Sequence, residues 1–591
     1  MRKCPADNNI NKIESIKIAI TITAAEVLIQ CLENEGVEVI FGVPGGPLTP
    51  FYEALSQSKK IRHVLAKHEG GAAYMANGYA RASRKLGVCC ATSGPGGTNA
   101  LTGIAASAAD SVPVLIITAQ VATSNFGAGA AQDGSPLGID LVQIYKPATK
   151  FSTMLSKPSR MQDLAQRAIR IAQTGRPGPV HINLPVDFAK QPSEFIPRSR
   201  TEYLTMNQSV DQHAIKNALA LLMAAKNPCI IAGSGVLASN AYDSLEKFAN
   251  RSGIPVATTP KAKGVFPENH LLSLGVLGLS GHAHAESYFN SPLLDALLVI
   301  GSSLGETVTY NWRENLSVPI IHIDIDPSSI AKRVKVDVPV VGDLKLVLEQ
   351  LLGVLRASPQ RPDPTDLAAW WKQVDEWRVK GGGLRYKNST EIIKPQFVIE
   401  KLCEITGGDA FVTSDVGQHQ MWAAQYYKFN KPRRWINSGG LGTMGFGLPA
   451  AMGVQLINPG ATVACVTGEG SIQMNIQELS TCKQFHLPIK VISLNNRYLG
   501  MVRQWQEFFH GNRYSESYMD ALPDFVKLAE AYGHVGMRIE KPSDVEPALK
   551  EAFGRKQQLV FMDFITDQTE NVFPMVQGGK GLSEVILAED L

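Results

Sequence analysis

Short apolar runs alternate with longer segments of helical periodicity along all 591 residues of the chain. The runs are rich in β-branched residues, which is typical of strands buried on both faces of a parallel sheet. The predicted strands are VEVIFG, GVCCAT, VPVLIIT and GPVHINLP, then NPCIIAG, IPVATT, DALLVIG and PIIHIDID, then DAFVTS, TVACVTG, LPIKVISLNN and QLVFMDFIT. This alternation predicts an α/β protein with three doubly wound parallel-sheet domains.

Two polar, proline-bearing stretches divide the chain, Lys190 to Tyr203 and Arg356 to Asp366. Such segments bury little surface, so we expect them to be linkers without regular structure. The predicted divisions are an N-terminal tail over 1–20, a first domain over 21–189, a central domain over 204–355, and a third domain with a C-terminal tail over 380–591.

Composition and charge exclude several classes of protein. Apolar residues make up 44% and charged residues 19%, the balance of an ordinary globular protein. The net charge of +3 gives no reason to expect a nucleic-acid partner. The sequence contains no run of 18 apolar residues, so it predicts no membrane-spanning helix. The eight cysteines are scattered and form no zinc motif, which favours buried thiols in the cytoplasm.

In the first domain, candidate chemistry follows the predicted strands. Glu69 lies where the strand at His63 gives way to a helix, and the turns FGVPGG and TSGPGGTN follow two other strands. Glycine at such turns lets backbone approach a ligand, although neither turn is a P-loop because no Gly-Lys-Ser/Thr follows. Taken alone, Glu69 also fits a carboxylate that merely complements the helix dipole.

The third domain carries a sharper signal. The strand TVACVT ends in Gly468-Glu469-Gly470-Ser471, and 24 residues separate Gly470 from Asn495-Asn496, which close the next strand. A helical stretch, MNIQELSTCKQF, lies between them. Carboxylate and amide oxygens suit Mg²⁺, which completes its shell with phosphate and water, and backbone amides that open a helix favour an anion. We therefore expect a metal–diphosphate site at this sheet edge.

Gly-Glu-Gly followed by Asn-Asn resembles the thiamine-diphosphate fingerprint, which is usually Gly-Asp-Gly followed by Asn-Asn. The surrounding segments are similar to the catalytic large subunit of acetolactate synthase over roughly Thr21 to Leu587. The segments that carry this resemblance are HEGGAAYMANGYARAS, SGPGGTNALTG, GQHQMWAAQYY, SGGLGTMGFGLPAA, SIQMNIQELST, LNNRYLGMVRQWQE and ENVFPMV.

The resemblance implies a role for each matching residue. Glu69 contacts the pyrimidine N1′ of the cofactor, Gln132 lies near the reacting carbon, and Met444 is the apolar wedge beneath the folded cofactor. Glu469, Asn496 and the backbone oxygen of Tyr498 are the metal ligands, and Met501 and Trp505 shape the substrate pocket. The implied cofactor-binding residues are Gly45, Gly46, Glu69, Asn99, Val416, Gln418, His419, Gly442, Met444, Gly468, Glu469, Gly470, Ser471, Asn496 and Met501.

The resemblance also implies a reaction. A 2-keto acid, pyruvate, is decarboxylated on thiamine diphosphate with Mg²⁺ and joined to a second carbonyl to give acetolactate, an intermediate of branched-chain amino-acid biosynthesis. Many members bind FAD in the central domain. Glu69 and the diphosphate site come from different subunits, so a homodimer or homotetramer is expected.

Four departures from the family pattern leave the substrates open. Glu469 replaces the usual Asp, Val186 stands where biosynthetic members commonly carry Lys, and Ala131-Gln132-Asp133 replaces Phe-Gln-Glu before an insertion, GSPLGI. The stretch GSSLGETVTYNW also lacks the Arg of flavin-binding members, which puts FAD in question.

These departures leave three hypotheses. The first is an acetolactate-synthase-type carboligase, which the third-domain and C-terminal matches favour. The second is a sister thiamine enzyme with another donor or acceptor, such as a sulfoacetaldehyde acetyltransferase-like, diketone-cleaving or specialised carboligase enzyme. The third is an idle homologue that only binds cofactor or partners.

Overall fold

The computed structural model describes residues 19–204, 210–279, 281–289, 291–309, 318–357, 364–380, 384–576 and 585–586. It contains three domains, each built on a six-stranded sheet in which every neighbouring pair of strands is parallel. The predicted α/β class with three parallel-sheet domains is thereby confirmed. The predicted N-terminal tail lies almost entirely outside the described residues.

The sheet of the first domain has the order β3-β2-β4-β5-β7-β6, and β1 pairs antiparallel with β8 beside it. The strands are β1 Ile20–Thr23, β2 Val39–Gly42, β3 Arg62–Leu65, β4 Gly87–Ala91, β5 Val114–Gln120, β6 Phe151–Met154, β7 Val180–Pro185 and β8 Pro192–Phe195. The helices are α1 Ala24–Asn34, α2 Thr49–Gln57, α3 Glu69–Ser83, α4 Pro95–Ala109, α5 Leu141–Tyr145, α6 Met161–Gln173, α7 Val186–Ala189 and α8 Arg200–Tyr203.

The central sheet has the order β11-β10-β9-β12-β13-β14, so the direction of winding reverses between β9 and β12. Its strands are β9 Pro228–Ala232, β10 Val256–Thr258, β11 Ser273–Val276, β12 Ala296–Ile300, β13 Ile320–Asp324 and β14 Val338–Val341. The helices are α9 Gln212–Ala224, α10 Gly235–Ala238, α11 Tyr242–Ser252, α12 Ala283–Phe289, α13 Glu306–Thr309, α14 Leu344–Ala357 and α15 Pro364–Lys380.

The sheet of the third domain has the order β16-β15-β17-β18-β20-β19, which repeats the topology of the first domain. The strands are β15 Phe411–Ser414, β16 Trp435–Asn437, β17 Val463–Thr467, β18 Lys490–Asn495, β19 Val535–Ile539 and β20 Val560–Ile565, with a small pair, β21 Met575–Val576 and β22 Val585–Ile586. The helices are α16 Pro395–Thr406, α17 Gln418–Tyr426, α18 Gly447–Ile457, α19 Glu469–Ile472, α20 Glu478–Gln484, α21 Gly500–Phe509, α22 Phe525–Ala531 and α23 Pro542–Gly554.

Helices α3 and α18 join the first and third domains across one shared apolar core. Their backbones approach so closely that a Cβ on Gly78 would lie 2.2 Å from the carbonyl oxygen of Ala450, and one on Gly453 would lie 2.1 Å from that of Met75. A glycine on each helix therefore makes room for the backbone of the other, because no side chain separates the two chains at these points. This contact fixes the two sheets relative to each other.

The structure corrects two expectations about local structure. The stretch Lys190 to Tyr203 is not an irregular linker, because it contains β8 and α8 and buries Phe195 at 2% exposure. Strand pairing with β1 supplies the hydrogen bonds that its polar, proline-bearing sequence did not predict. The second linker, Arg356 to Asp366, runs through residues 358–363, which lie outside the described residues.

The stretch MNIQELSTCKQF is also not one helix. A 3₁₀ turn covers Gln473–Asn475, and α20 begins only at Glu478. The helix that follows Gly468 is a single turn, α19, which begins at Glu469.

Within the described ranges no helix is both long and apolar enough to cross a membrane. Six of the seven described cysteines are buried, and all seven carry free thiols.

Candidate active site

Glu69 is the first residue of α3, at the carboxyl end of β3, and its side chain is only 9% exposed. Its Oε2 accepts a hydrogen bond from Asn99 Nδ2 at 3.0 Å. The preceding residue, His68, caps the helix, since its Nδ1 accepts a hydrogen bond from Gly70 N at 3.0 Å. The sequence thus places a buried carboxylate at a rigid helix start, held by one side-chain amide.

The two glycine turns lie at the same edge of the sheet, after β2 and β4, and they differ in what they contact. A Cβ on Gly45 would lie 2.4 Å from Thr92 Oγ1, whereas one on Gly46 would meet nothing within 4 Å. A Cβ on Gly96 would lie 2.8 Å from Thr92 Cγ2 and 3.2 Å from Glu69 Oε1. Gly45 and Gly96 therefore serve internal packing around Thr92, and Gly46 alone presents open backbone.

Gln132 lies in the loop after β5, at the carboxyl edge that also carries Glu69. It is exposed with a φ of +63°, and its carbonyl oxygen accepts a hydrogen bond from Ser93 Oγ at 2.7 Å. Asp133 braces the loop, accepting from Gly127 N and Ser135 N at 2.9 Å each. Burial opposes the charged form of Asp133, but hydrogen bonds from the Ser135 side chain and from the Gly127 and Ser135 backbone together lower its pKa. The loop is thus held at its base and presents the Gln132 side chain to solvent.

In the third domain, Glu469 and Asn496 meet at one backbone group. Tyr498 N donates to Glu469 Oε1 at 2.9 Å and to Asn496 Oδ1 at 3.0 Å. The two side chains follow β17 and β18, which are adjacent and parallel, with Thr467 paired to Ser493. The structure therefore brings together the two side-chain oxygens that the sequence predicted as metal ligands at neighbouring strand ends.

Glu469 is 1% exposed, and burial raises the pKa of its carboxyl to about 8 although backbone N–H groups partly stabilise the charge. No group of three or more His, Cys, Asp or Glu suited to a metal occurs among the described residues. Among the side chains, a cation at Glu469 would thus find one carboxylate and one amide oxygen, so ligand oxygens from elsewhere, including anionic ones, would have to complete its shell.

Gln418 and His419 open α17 beside this pair and behave differently. Gln418 Oε1 accepts from Asn496 Nδ2 at 3.2 Å, and its Nε2 donates to Gln504 Oε1 at 2.8 Å. Both ends of this amide are engaged within the protein, so Gln418 orients Asn496. His419 Nε2 is buried with no hydrogen-bond partner among the described residues, and burial lowers the pKa of His419 to about 3.

Neighbouring glycines leave the space that the His419 imidazole occupies. A Cβ on Gly468 would lie 2.8 Å from His419 Nδ1, and one on Gly417 would lie 2.6 Å from His419 Cε1. Ser471 Oγ donates to the carbonyl oxygen of Val416 at 2.9 Å, tying the two loops together. Within this cluster, His419 Nε2 is a buried polar atom that has no hydrogen-bond partner among the described residues.

Asp415 was missed by the sequence reasoning. It is fully buried at the end of β15, where its carboxylate accepts from Gly447 N at 2.8 Å and Thr467 Oγ1 at 2.7 Å. Burial raises the pKa of Asp415 to about 6. It anchors the segment that carries Met444, and the signal that could have revealed it was its place at the same sheet edge as Glu469.

The apolar candidates Met444, Met501 and Trp505 lie on the rim of the third domain. Met444 is half-buried between Gly442 and Gly445, both of which have positive φ (+72° and +83°). Met501 and Trp505 are four residues apart on α21, and Trp505 is 42% exposed.

The side-chain hydrogen bond of Glu69 stays within the first domain, and the side-chain hydrogen bond of Glu469 stays within the third.

In the central domain, the loops after β9 and β12 meet where the winding reverses. Gly235 N donates to the carbonyl oxygen of Gly301 at 2.9 Å, and a Cβ on Gly235 would lie 2.5 Å from Gly301 Cα. The stretch that departs from flavin-binding members begins at Gly301, and its last three residues, 310–312, lie outside the described residues.

Comparison with known proteins covers all three domains. Family models match residues 22–140 (thiamine pyrophosphate enzyme, N-terminal TPP binding domain), 215–351 (central domain) and 415–564 (C-terminal TPP binding domain). The chain is 44% identical over 576 residues to acetolactate synthase isozyme 3 large subunit of Escherichia coli K12, covering 96% of this chain and 99% of that protein. It is 40% identical over 578 residues to acetolactate synthase of Mycobacterium bovis (96% and 92%) and 40% identical over 586 residues to the probable acetolactate synthase large subunit of Methanococcus aeolicus (96% and 95%).

Proposed function

The chain belongs to the thiamine-pyrophosphate enzyme family, among the acetolactate synthase large subunits, and from this premise we propose how its residues divide the reaction. The enzyme is of the acetolactate synthase type: it decarboxylates a 2-keto acid and joins the remaining fragment to a second carbonyl compound. We propose pyruvate in both roles. The observation that carries the assignment of the site is the convergence of Glu469 and Asn496 on Tyr498 N.

Thiamine diphosphate, when bound, would supply a nucleophilic carbon that adds to the keto carbon and a cationic ring that takes up the electron pair left behind when carbon dioxide departs. The carboxyl group of Glu69 is proposed to exchange a proton with the pyrimidine ring, and its burial at a helix start keeps it oriented. Met444 supports the cofactor from its apolar side, and Gln132 orients the substrate carbonyl. Met501 and Trp505 border the second carbonyl compound.

A divalent cation fits the Glu469 cluster, and Mg²⁺ is the ion we propose. Burial raises the pKa of the Glu469 carboxyl to about 8. A bound cation would place a positive charge beside this carboxyl and so stabilise its ionised form. Asn496 Oδ1 and the backbone oxygen of Tyr498 are the other protein ligands. A bound diphosphate would complete the shell and could accept a hydrogen bond from His419 Nε2, which is buried and has no partner among the described residues.

The proposed active unit is a homodimer in which Glu69 of one chain faces the Glu469 cluster of another. This proposal is supported by the side-chain hydrogen bonds that Glu69 and Glu469 make with the described residues, because each stays within its own domain. Exposed apolar side chains also stand on the rim of the third domain, with Leu441 at 47% and Met474 at 54% exposure. We also place the protein in the cytoplasm, in keeping with its free, mostly buried thiols.

A pyruvate-consumption assay with added thiamine diphosphate and Mg²⁺ tests the proposal, scoring acetolactate by acid conversion to acetoin. We expect acetolactate to form, and chelation of the metal to stop its formation reversibly. A parallel assay with FAD is expected to give the same rate, because the loop at Gly301 departs from flavin-binding members and packs on Gly235. A cofactor-bound protein that consumes no pyruvate would contradict the proposal.

A second candidate is a sister enzyme with a different donor or acceptor. Val186 begins α7 half-exposed, where a Lys would bring a positive charge, and Ala131 is exposed beside Gln132. Both changes remove bulk or charge near the substrate side of the first domain. Turnover of other keto acids or aldehydes in preference to pyruvate would favour this candidate.

A further inference from the structure

A buried carboxylate of the third domain lies directly against the loop that leads to Glu69. Glu478 is the first residue of α20 and its side chain is 0% exposed. Its Oε1 accepts hydrogen bonds from Lys67 N at 2.9 Å and from His68 N at 3.0 Å. These are the two backbone N–H groups immediately before Glu69.

The other oxygen of Glu478 is also engaged. Oε2 accepts from Thr481 Oγ1 at 2.8 Å, and the same hydroxyl approaches the carbonyl oxygen of Leu65 at 3.3 Å. Burying a carboxylate is costly unless its oxygens are hydrogen-bonded. A favourable interaction with the dipole of α20 would need neither burial nor contact with another domain, so it does not account for this arrangement.

Gly71 provides an independent observation on the same contact. A Cβ at Gly71 would lie 2.6 Å from Glu478 Oε1, and its three nearest atoms would all belong to Glu478. Glycine is unfavourable inside a helix, and Gly71 lies in the first turn of α3. The absence of a side chain there is explained by the room that Glu478 needs.

We propose that Glu478 is a positioning residue that fixes the backbone from which the Glu69 side chain projects. The inference rests on the proposed role of Glu69 in the reaction. Because Glu478 follows Glu469 by only nine positions, one short segment of the third domain carries the metal carboxylate and anchors the loop before Glu69. A misplacement of 1 Å at a reacting group costs on the order of 10²-fold in rate, so loss of this anchor is felt in catalysis.

The anchor can be tested without cofactor, by hydrogen–deuterium exchange of the Lys67 and His68 amides measured by mass spectrometry of peptides from the full chain. We expect slow exchange in the wild type and in Glu478→Gln, which keeps an accepting oxygen, and clearly faster exchange in Glu478→Ala. Gln484→Ala is the matched control, because Gln484 is exposed and contacts only the Lys67 side chain in this loop, at 3.1 Å from Nζ.

The catalytic consequence is tested by hydrogen–deuterium exchange at C2 of bound thiamine diphosphate. Glu478→Ala is expected to slow this exchange by about 100-fold, with Glu478→Gln and Gln484→Ala close to wild type. Gly71→Ala is expected to resemble Glu478→Ala, because its methyl group displaces the carboxylate. Adding Gly71→Ala to Glu478→Ala should cost little more, since the clash is already removed.

Each outcome decides a separate point. Wild-type amide protection and wild-type C2 exchange in Glu478→Ala would overturn the positioning role, and so would a lower melting temperature with C2 exchange unchanged. If Glu69→Gln leaves C2 exchange intact, the proposed role of Glu69 fails. The amide exchange in the cofactor-free chain still decides whether Glu478 holds the loop.

Discussion

At the scale of single residues, two buried carboxylates begin helices that follow parallel strands, and their neighbours distinguish them. Glu69 receives a side-chain amide hydrogen bond from Asn99, whereas Glu469 receives a backbone N–H from Tyr498. Burial raises the pKa of Glu469 to about 8, which marks it as the group that gains from a nearby cation. In the proposed site, the same residue type at the same kind of junction thus serves proton transfer in one domain and metal binding in the other.

The proposed proton-transfer role makes Glu69→Gln informative. The substitution keeps the shape of the side chain and removes the exchangeable carboxyl proton, so cofactor affinity should be nearly unchanged. C2 exchange of the bound cofactor should slow by about 10²–10⁴-fold, the usual contribution of general acid–base catalysis. Isothermal titration of the cofactor together with C2 exchange measured by NMR would check this, and normal exchange in the variant would refute the role.

His181 is a buried histidine outside the site that predicts a pH dependence of stability. Its Nε2 lies 2.7 Å from Thr118 Oγ1, its Nδ1 lies 2.9 Å from Ser152 Oγ, and burial lowers its pKa from 6.5 to about 3. The unfolded chain therefore takes up a proton that the folded chain does not. The stabilisation is full above pH 6.5 and is lost as the pH falls from 6.5 towards 3, by about 1.4 kcal/mol per pH unit.

The measurement is the free energy of unfolding of the wild type and of His181→Gln between pH 7 and pH 5. As the pH falls, the free energy of unfolding of His181→Gln should decline less steeply than that of the wild type, by about 1.4 kcal/mol per pH unit, which is the contribution of one proton. His213→Gln, at an exposed position, is the control and should keep the wild-type slope. Parallel slopes in the wild type and His181→Gln would show that His181 does not carry this dependence.

At the scale of elements, the pair α3 and α18 decides where the first and third sheets lie. Gly78 and Gly453 allow backbone contact between the two helices, and Glu69 stands at the start of one of them. Close packing of this kind transmits strain rather than absorbing it. Changes at the helix contact should therefore affect stability sharply although they lie far along α3 from the site.

Gly78→Ala tests the contact, because the added methyl group would lie 2.2 Å from the carbonyl oxygen of Ala450. We expect a loss of about 1–3 kcal/mol in the free energy of unfolding, as for other overpacked cores. Gly353→Ala, in α14, is the matched control: its Cβ would meet nothing within 4 Å, so Ala should stabilise by about 0.5–1 kcal/mol. Thermal unfolding of both variants provides the comparison, and equal effects would refute the packing argument.

At the scale of the whole molecule, the first and third domains share one sheet topology and each carries half of the proposed site. In the proposed dimer the two halves come from different chains. A mixed dimer of Glu69→Gln and Glu469→Ala chains would then contain one doubly altered site and one unaltered site. Random mixing of two inactive variants should restore about a quarter of wild-type activity, since half the dimers are mixed and each has one good site.

Co-expression or unfolding and refolding of the two variants together provides the mixed dimers, and the pyruvate assay measures the recovery. The control is each variant carried through the same treatment alone, which should remain inactive. No recovery from dimers shown to be mixed would mean that Glu69 and Glu469 act within one chain.

All but one of the strands that the sequence predicted lie inside the sheets, and the exception is the strand at His63, which is the edge strand β3. Continuous apolar runs identified β9, β10, β12 and β13 of the central sheet, but not its two edges, β11 and β14. In the third sheet, the edge strands β16 and β19 were likewise not predicted. In the first sheet, the edge strand β6 was not predicted. An edge strand pairs on one side only, and β6, β14 and β19 are partly exposed, so their sequences carry no continuous apolar signal. The edge strands β11 and β16 are largely buried, but with four and three residues they are too short to give such a signal.

The sequence by itself determined the α/β class, the central strands and the placement of Glu69, Glu469 and Asn496 at strand ends, because local periodicity and chain spacing encode these features. Only the tertiary structure showed that β8 pairs with β1, that Gln418 orients Asn496, and that Asp415 and Glu478 anchor the loops around the site. Those contacts join residues dozens to hundreds of positions apart. They depend on how helices and sheets pack, which no local pattern in the chain records.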